Sequence, residues 1–204
     1  MTERRRVLVA SRNAKKLDEL RRILAEAGIE GLEIVGLNEV PPYPEAPETG
    51  ATFEENALAK ARDGAAATGL ACVADDSGLA VDALNGMPGV LSARWSGRHG
   101  DDTANNNLLL AQLSDVPDER RGARFVSACA LVAEGREVVT VGEWAGVIRR
   151  EPLGDNGFGY DPLFVPEDDT RTSAQLTAAE KDAASHRGRA LRALLPALAE
   201  LAGH

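Results

Sequence analysis

The first forty residues alternate between two periodicities, and this restricts the fold more than any other feature of the chain. Residues 6–10 form a short apolar run of the kind that makes a buried strand. Ser11-Arg12-Asn13-Ala14-Lys15-Lys16 follows at once, and then Leu17, Leu20, Leu24 and Ala27 recur at helical spacing. Gly28 is a natural helix stop, and residues 32–37 predict a second strand. A strand, a helix and a strand in so short a span lead to a helix packed on a sheet that contains parallel neighbours.

The rest of the chain extends this pattern. Four prolines between 41 and 47 leave no room for regular structure there. Thr52-Phe53-Glu54-Glu55 has the capping-box spacing and predicts a helix running to about Gly69. Residues 70–74 predict a strand ending at Asp75-Asp76-Ser77-Gly78, and residues 103–113 a helix. Residues 125–133 and 138–148, on either side of Gly135, predict a long β-hairpin. A second capping box, Thr177-Ala178-Ala179-Glu180, opens a last helical region with Leu191, Leu194, Leu198 and Leu201 on one side. Pro196 is expected to bend or interrupt it. The fold class that follows is α/β, a mixed central β-sheet flanked by helices, in a single domain spanning residues 1–204.

Charge then removes whole classes of partner. With 23 basic and 32 acidic side chains the formal net charge is −9, unsuited to a nucleic-acid polymer, whose binding rests on many phosphate contacts by Lys and Arg. A small anion needs only a few local cations and backbone N–H groups, and stays open. The apolar run before Ser11 is too short for a secretory signal, and no later stretch is long enough to cross a bilayer. Cys72 and Cys129 make neither a disulfide framework nor a metal cluster. A cytoplasmic protein without a membrane or nucleic-acid partner is the expectation.

Four segments carry groups suited to chemistry. Ser11, Arg12, Asn13, Ala14, Lys15 and Lys16 lie between a strand and a helix, where N–H groups and the helix dipole favour phosphate; a capped helix with solvated lysines is the plainer reading. Asp75 and Asp76 are consecutive on a strand and face opposite sides, so one can hold a hard cation while the other serves the fold. Magnesium takes one or two carboxylates with phosphate oxygens and water, so a single presented Asp of this pair, with help from Glu48, is adequate. In Asn156-Gly157-Phe158-Gly159-Tyr160-Asp161, glycines flank an aromatic residue in a chain that has few of them, so a ligand can come close. Lys181, His186 and Arg187 gather near the start of the last helix, where cations are costly unless an anion compensates.

Taken in order, these segments resemble one family, the inosine triphosphate pyrophosphatases or Ham1-like proteins. The likeness runs from Val7 to about Leu195. It rests on Ser11-x-Asn13-x-x-Lys16, Glu48-Thr49-Gly50, Phe53-x-Glu55-Asn56-Ala57, Lys60-Ala61, Ala74-Asp75-Asp76-Ser77-Gly78-Leu79, Pro88-Gly89, Ser92-Ala93-Arg94, Gly157-Phe158-Gly159-Tyr160-Asp161-Pro162, Glu180-Lys181 and Ser185-His186-Arg187-Gly188. Ser11-Arg12 stands where the family usually has Thr-Gly, and Asn156 where it often has glycine.

The resemblance implies an elongated, two-lobed α/β fold with a cleft between the lobes, and a homodimer. It implies Mg²⁺-dependent hydrolysis of ITP, dITP and XTP to the monophosphate and pyrophosphate. Carried over by position, the proton acceptor and metal ligand is Asp76, with Glu48 as second metal ligand. The substrate contacts are residues 11–16, Ser77, Phe158, Gly159, Tyr160, Asp161, Lys181, His186 and Arg187. A nucleotide-binding regulator without catalysis, and a Maf-like pyrophosphatase of pyrimidine nucleotides, are the competing readings.

Overall fold

The computed structural model describes residues 4–45 and 47–203. Met1–Glu3, part of the stretch read for a leader, and Ala46, in the proline-rich loop, lie outside the described residues. Among the described residues six strands form one sheet in the order β2-β1-β3-β4-β5-β6. They are β1 (Arg5–Val9), β2 (Leu32–Gly36), β3 (Ala71–Val81), β4 (Gly122–Ala133), β5 (Arg136–Ile148) and β6 (Phe164–Pro166). The sheet is mixed: β1 pairs in parallel with β2 and β3, and β5 pairs antiparallel with β6. Helices flank it, as the sequence predicts: α1 (Ala14–Glu26), α2 (Phe53–Thr68), α3 (Asp102–Gln112), α4 (Ala178–Ala184) and α5 (His186–Ala202).

The chain divides into two compact units, one made of residues up to Asp76, Ser127–Gly142 and Arg187 onward, the other of Ser77–Val126 and Glu143–His186. In the first, β1 lies between β2 and β3, with Val7 opposite Ile34 and Ala71. Leu17, Leu20, Ile23 and Leu24 of α1 pack with Val7, Val9, Val73 and with Leu191, Leu194 and Leu198 of α5. Ala27 does not extend this stripe. It is the exposed C-cap of α1, and Ile23 supplies the buried contact instead. A separate cluster joins Leu8, Val35 and Cys72 to Tyr43 and to Ala65 of α2.

The second unit has its own core, in which Leu79, Leu109, Leu113, Phe125, Trp144, Leu163 and Phe164 are buried together. The rings of Phe125 and Phe164 lie 4.6 Å apart, and those of Trp144 and Phe164 5.5 Å apart, both tilted. Arg121, 2% exposed, donates to the carbonyls of Leu113, Ile148 and Arg149. Burial lowers its pKa, the nearby charge of Arg150 adds to this, and Asp118 opposes it in part.

Three local expectations change. β3 does not end at Ala74 but continues through Asp75-Asp76-Ser77-Gly78 to Val81. The last helical region breaks at Ser185, whose extended backbone separates α4 from α5, whereas Pro196 sits inside an unbroken α5. Pro196 is on the exposed side, away from the buried leucines that hold the helix to the core. In the first capping box the Thr52 hydroxyl accepts from Glu55 N–H, but the Glu55 carboxylate reaches Ala51 N–H instead of Thr52. The second, at Thr177 and Glu180, is complete in both directions.

Candidate active site

In the first unit, alternation along β3 sends Asp75 and Asp76 to opposite faces of the sheet. Asp75 continues the row of Ala71 and Val73, which faces α1 and α5. Lys16 Nζ donates to its Oδ2 at 2.5 Å, and Arg187 Nε lies 3.4 Å from the same oxygen. Arg187 also pairs with Glu19, at a site where both side chains are nearly closed to solvent. Burial by itself would raise the Asp75 pKa, but Lys16 and Arg187 outweigh it and hold the carboxyl well below the usual range. Burial opposes the Arg187 charge too, and Asp75 and Glu19 more than restore it.

Asp76 lies in the same row as Cys72 and turns to α2. Asn56 Nδ2 donates to Asp76 Oδ2 at 2.9 Å. Lys60 Nζ is 2.5 Å from Glu48 Oε1, 3.6 Å from Asp76 Oδ1 and 3.3 Å from the Asp75 carbonyl. Burial disfavours the Lys60 ammonium, yet Asp76 and Glu48 keep its pKa above the ordinary value. Glu48, Asn56 and Lys60 also line a cavity of about 300 Å³. Two carboxylates within reach of one ammonium are two carboxylates within reach of one hard cation. Among the described residues no cluster of three or more His, Cys, Asp or Glu stands ready to hold a metal. The carboxylates of Glu48 and Asp76 match the one or two that magnesium takes beside phosphate oxygens and water.

The turn before α1 is partly self-capped. Ser11 Oγ accepts from Asn13 N–H at 3.1 Å and Asn13 Oδ1 from Lys15 N–H at 3.0 Å. Arg12 reaches out to Glu45, both largely exposed. Lys16 is the cation of this segment that turns inward, to Asp75.

In the second unit Ser77 is half-buried in β3, and residues 157–161 form a tight loop. Gly157 and Gly159 have φ of +79° and +60°, and a Cβ at Gly157 would strike the Asp161 carboxylate. Asp161 is buried. Its Oδ2 accepts from Phe158 N–H at 2.8 Å and pairs with Lys181, and its Oδ1 accepts from Ser173 Oγ at 2.8 Å. Tyr160 is buried as well and donates to the Ser92 carbonyl at 2.9 Å. Between these anchored residues Phe158 stands 70% exposed, with Lys181 Nζ 5.1 Å from its ring centre. His186 stacks on Phe125, ring centres 5.0 Å apart.

These two groups of side chains stand on the segments that match one family. The Ham1 family profile matches residues 7–197. The chain belongs to the Ham1 family. A Nocardia farcinica protein named dITP/XTP pyrophosphatase is 80% identical over 198 residues, covering 97% of this chain and 96% of that one. A Mycobacterium abscessus structure titled nucleoside-triphosphatase and dITP/XTP pyrophosphatase has 71% identity, a TM-score of 0.81, and covers 95% of this chain and 99% of its own. A Ham1 protein of Coxiella burnetii has 40% identity and a TM-score of 0.87, covering 96% and 99%.

Several side chains in this Ham1 protein have a place at the site that the sequence reading gave no role. Asn56 and Lys60, four apart on α2, are the partners of Asp76 and Glu48. Their signal was present, since that spacing puts two polar groups on one helix face. Glu19 had a signal too, as a carboxylate beside the apolar stripe of α1. Ser173, twelve residues beyond Asp161, had none.

Proposed function

We infer that this Ham1 protein hydrolyses non-standard purine nucleoside triphosphates, dITP, ITP and XTP, to the monophosphate and pyrophosphate, with residues 1–204 acting as one catalytic domain. The observation that carries the reading is the division of labour at Asp75 and Asp76. One aspartate is locked between Lys16 and Arg187, and the other stands with Glu48 and Lys60. Glu48 and Lys60, which stand around Asp76 and line a cavity, support a functional role for that carboxylate.

Glu48 and Asp76 would hold Mg²⁺, which when bound supplies neutralisation of phosphate oxygens. Lys16, Lys60 and the N–H groups of residues 11–16 add positive potential along the triphosphate. Asp76 accepts the proton of the attacking water. Asn56, bonded to one of its oxygens, fixes the carboxylate's orientation. The base stacks on Phe158, whose exposed ring is the apolar surface the loop presents. Ser77, Gly159, Tyr160, Asp161 and Lys181 complete the nucleotide contacts, several of them by holding the loop.

His186 and Arg187 donate to a 6-keto oxygen. The Arg187 guanidinium is already committed to Glu19 and Asp75, so its share falls to the main chain. Adenine would set an amino group against these donors. An unpaired polar group of this kind lowers kcat/KM by up to about 10⁴-fold.

The test is pyrophosphate release across common and deaminated nucleotides. ITP and XTP are expected to be cleaved at least about a hundredfold faster than ATP in kcat/KM. Equal rates for ATP and ITP would remove the base-reading part of the proposal, and nucleotide binding without pyrophosphate release would turn the protein into a sensor. The same reading carries a cytoplasmic homodimer, which sedimentation and cell fractionation address.

A further inference from the structure

The loop that presents Phe158 is held from outside by two residues of α3, Asp102 and Asn106. Both grip the same residue. Asp102 Oδ2 accepts the Gly159 N–H at 2.7 Å, and Asn106 Nδ2 donates to the Gly159 carbonyl at 2.9 Å. The two side chains are four apart on the helix and therefore share one face. Together they use both main-chain polar groups of a glycine whose φ is +60°, a conformation with little steric preference to hold it in place.

Other contacts fix the neighbours on each side. Phe158 N–H is held by Asp161, and the Tyr160 hydroxyl by the Ser92 carbonyl. Gly159 is the joint between them, and α3 is what fastens it. The helix is itself anchored, since Leu109 is fully buried in the core of the unit. Its first turn is capped by Asp101, whose side chain accepts from Ala104 N–H.

Asn106 supports this reading through a defect. Its Oδ1 is buried and has no hydrogen-bond partner among the described residues. A half-buried asparagine with an unpaired carbonyl is a net cost to the fold, whereas a leucine of similar volume carries no such penalty. What the amide contributes is its one donor, to Gly159.

We propose that Asp102 and Asn106 are positioning residues that set nucleotide affinity by holding Gly159, and with it the Phe158 ring, in one orientation. The proposal rests on Phe158 being the base platform. Neither residue touches the phosphates or the attacking water in this account, so their loss acts on KM and leaves the hydrolytic step alone. Ordering the loop only on binding lowers the affinity by the fraction of molecules in the competent form.

The test compares Asp102→Ala, Asn106→Leu and Phe158→Ala with the wild type, and adds Asp102→Asn, whose amide oxygen still accepts from Gly159. Kinetics with ITP are measured beside thermal melting. Asp102→Ala and Asn106→Leu are each expected to raise KM about tenfold, equivalent to about 1.4 kcal/mol, with kcat within twofold and folding retained. Asp102→Asn should recover most of the wild-type KM. In a Phe158→Ala background, Asp102→Ala should add nothing further, because the ring it orients is gone.

An unchanged KM in Asp102→Ala and Asn106→Leu, with a raised KM in Phe158→Ala, overturns the positioning role and leaves the platform standing. An unchanged KM in Phe158→Ala removes the platform and the proposal with it. Additive effects in the double variant show that α3 acts on something other than Phe158, and equally overturn the proposal.

Discussion

Replacing each of the two consecutive aspartates by asparagine separates folding from chemistry. Asp75 is 6% exposed and faces Lys16 at 2.5 Å and Arg187 at 3.4 Å. Removing one member of a buried ion pair costs about 3–5 kcal/mol, because the partner charge stays buried. Arg187 retains Glu19, and the new amide oxygen still accepts one hydrogen bond, so the lower end, about 3 kcal/mol, is the expectation for Asp75→Asn. For a chain of this size that lowers the melting temperature by roughly 6–12 °C.

Asp76 shares Lys60 with Glu48, at the longer distance of 3.6 Å. Its loss is worth about 1 kcal/mol or less, or roughly 2–4 °C. Turnover should behave in the opposite way. Asp76→Asn is expected to lose nearly all pyrophosphate release, whereas Asp75→Asn keeps a measurable rate at temperatures where it is folded. Differential scanning fluorimetry and a coupled pyrophosphate assay on the same preparations read both quantities. The argument fails if Asp75→Asn melts like the wild type while Asp76→Asn loses 6 °C or more, or if Asp76→Asn turns over at the wild-type rate.

Hydrolysis of ITP in ¹⁸O-labelled water should place the label in the monophosphate and leave pyrophosphate unlabelled, as attack at the α phosphorus requires. Labelled pyrophosphate, or IDP with orthophosphate, would show attack at β or γ. The Asp75 carboxyl has its folded pKa depressed by Lys16 and Arg187 against the effect of burial. Its contribution to stability is therefore complete above the unfolded value near ~3.9 and declines as pH falls towards the folded one. In urea titrations the stability gap between wild type and Asp75→Asn should narrow below pH ~4 and stay constant from about pH 5 to 7, and a gap that widens in acid would refute this assignment. Arg121→Met, which removes the donor to three carbonyls, should destabilise by at least about 3 kcal/mol in the same titration; an unchanged midpoint would show those carbonyls to be well satisfied without it.

The sequence alone determined what depends on neighbours a few residues away. The apolar run before Ser11 and the leucine spacing after it place β1 and α1 to within a residue or so, because burial of one face repeats at the period of the element. The hairpin is legible too, although β4 and β5 begin three and two residues before the starts that the sequence suggests. Glu134 and Gly135, with φ of +51° and +78°, make the two-residue turn between β4 and β5. The order of motifs also named the family, since each motif is a local string.

Tertiary structure decided what depends on distant charge. Residues 70–74 read locally as a strand that ends at Asp75-Asp76-Ser77-Gly78, yet that segment is the middle of β3. Cations from α1, α2 and α5 neutralise the carboxylates there, so burying them no longer forbids a strand. Arg187 reads locally as a cation in need of a compensating negative charge, and Glu19, 168 positions earlier in the chain, is one of the carboxylates that supply it. The grip of α3 on Gly159 joins residues 57 and 53 apart. No period or cap encodes such pairs, because an ion pair or a hydrogen bond leaves no mark on the residues between its ends.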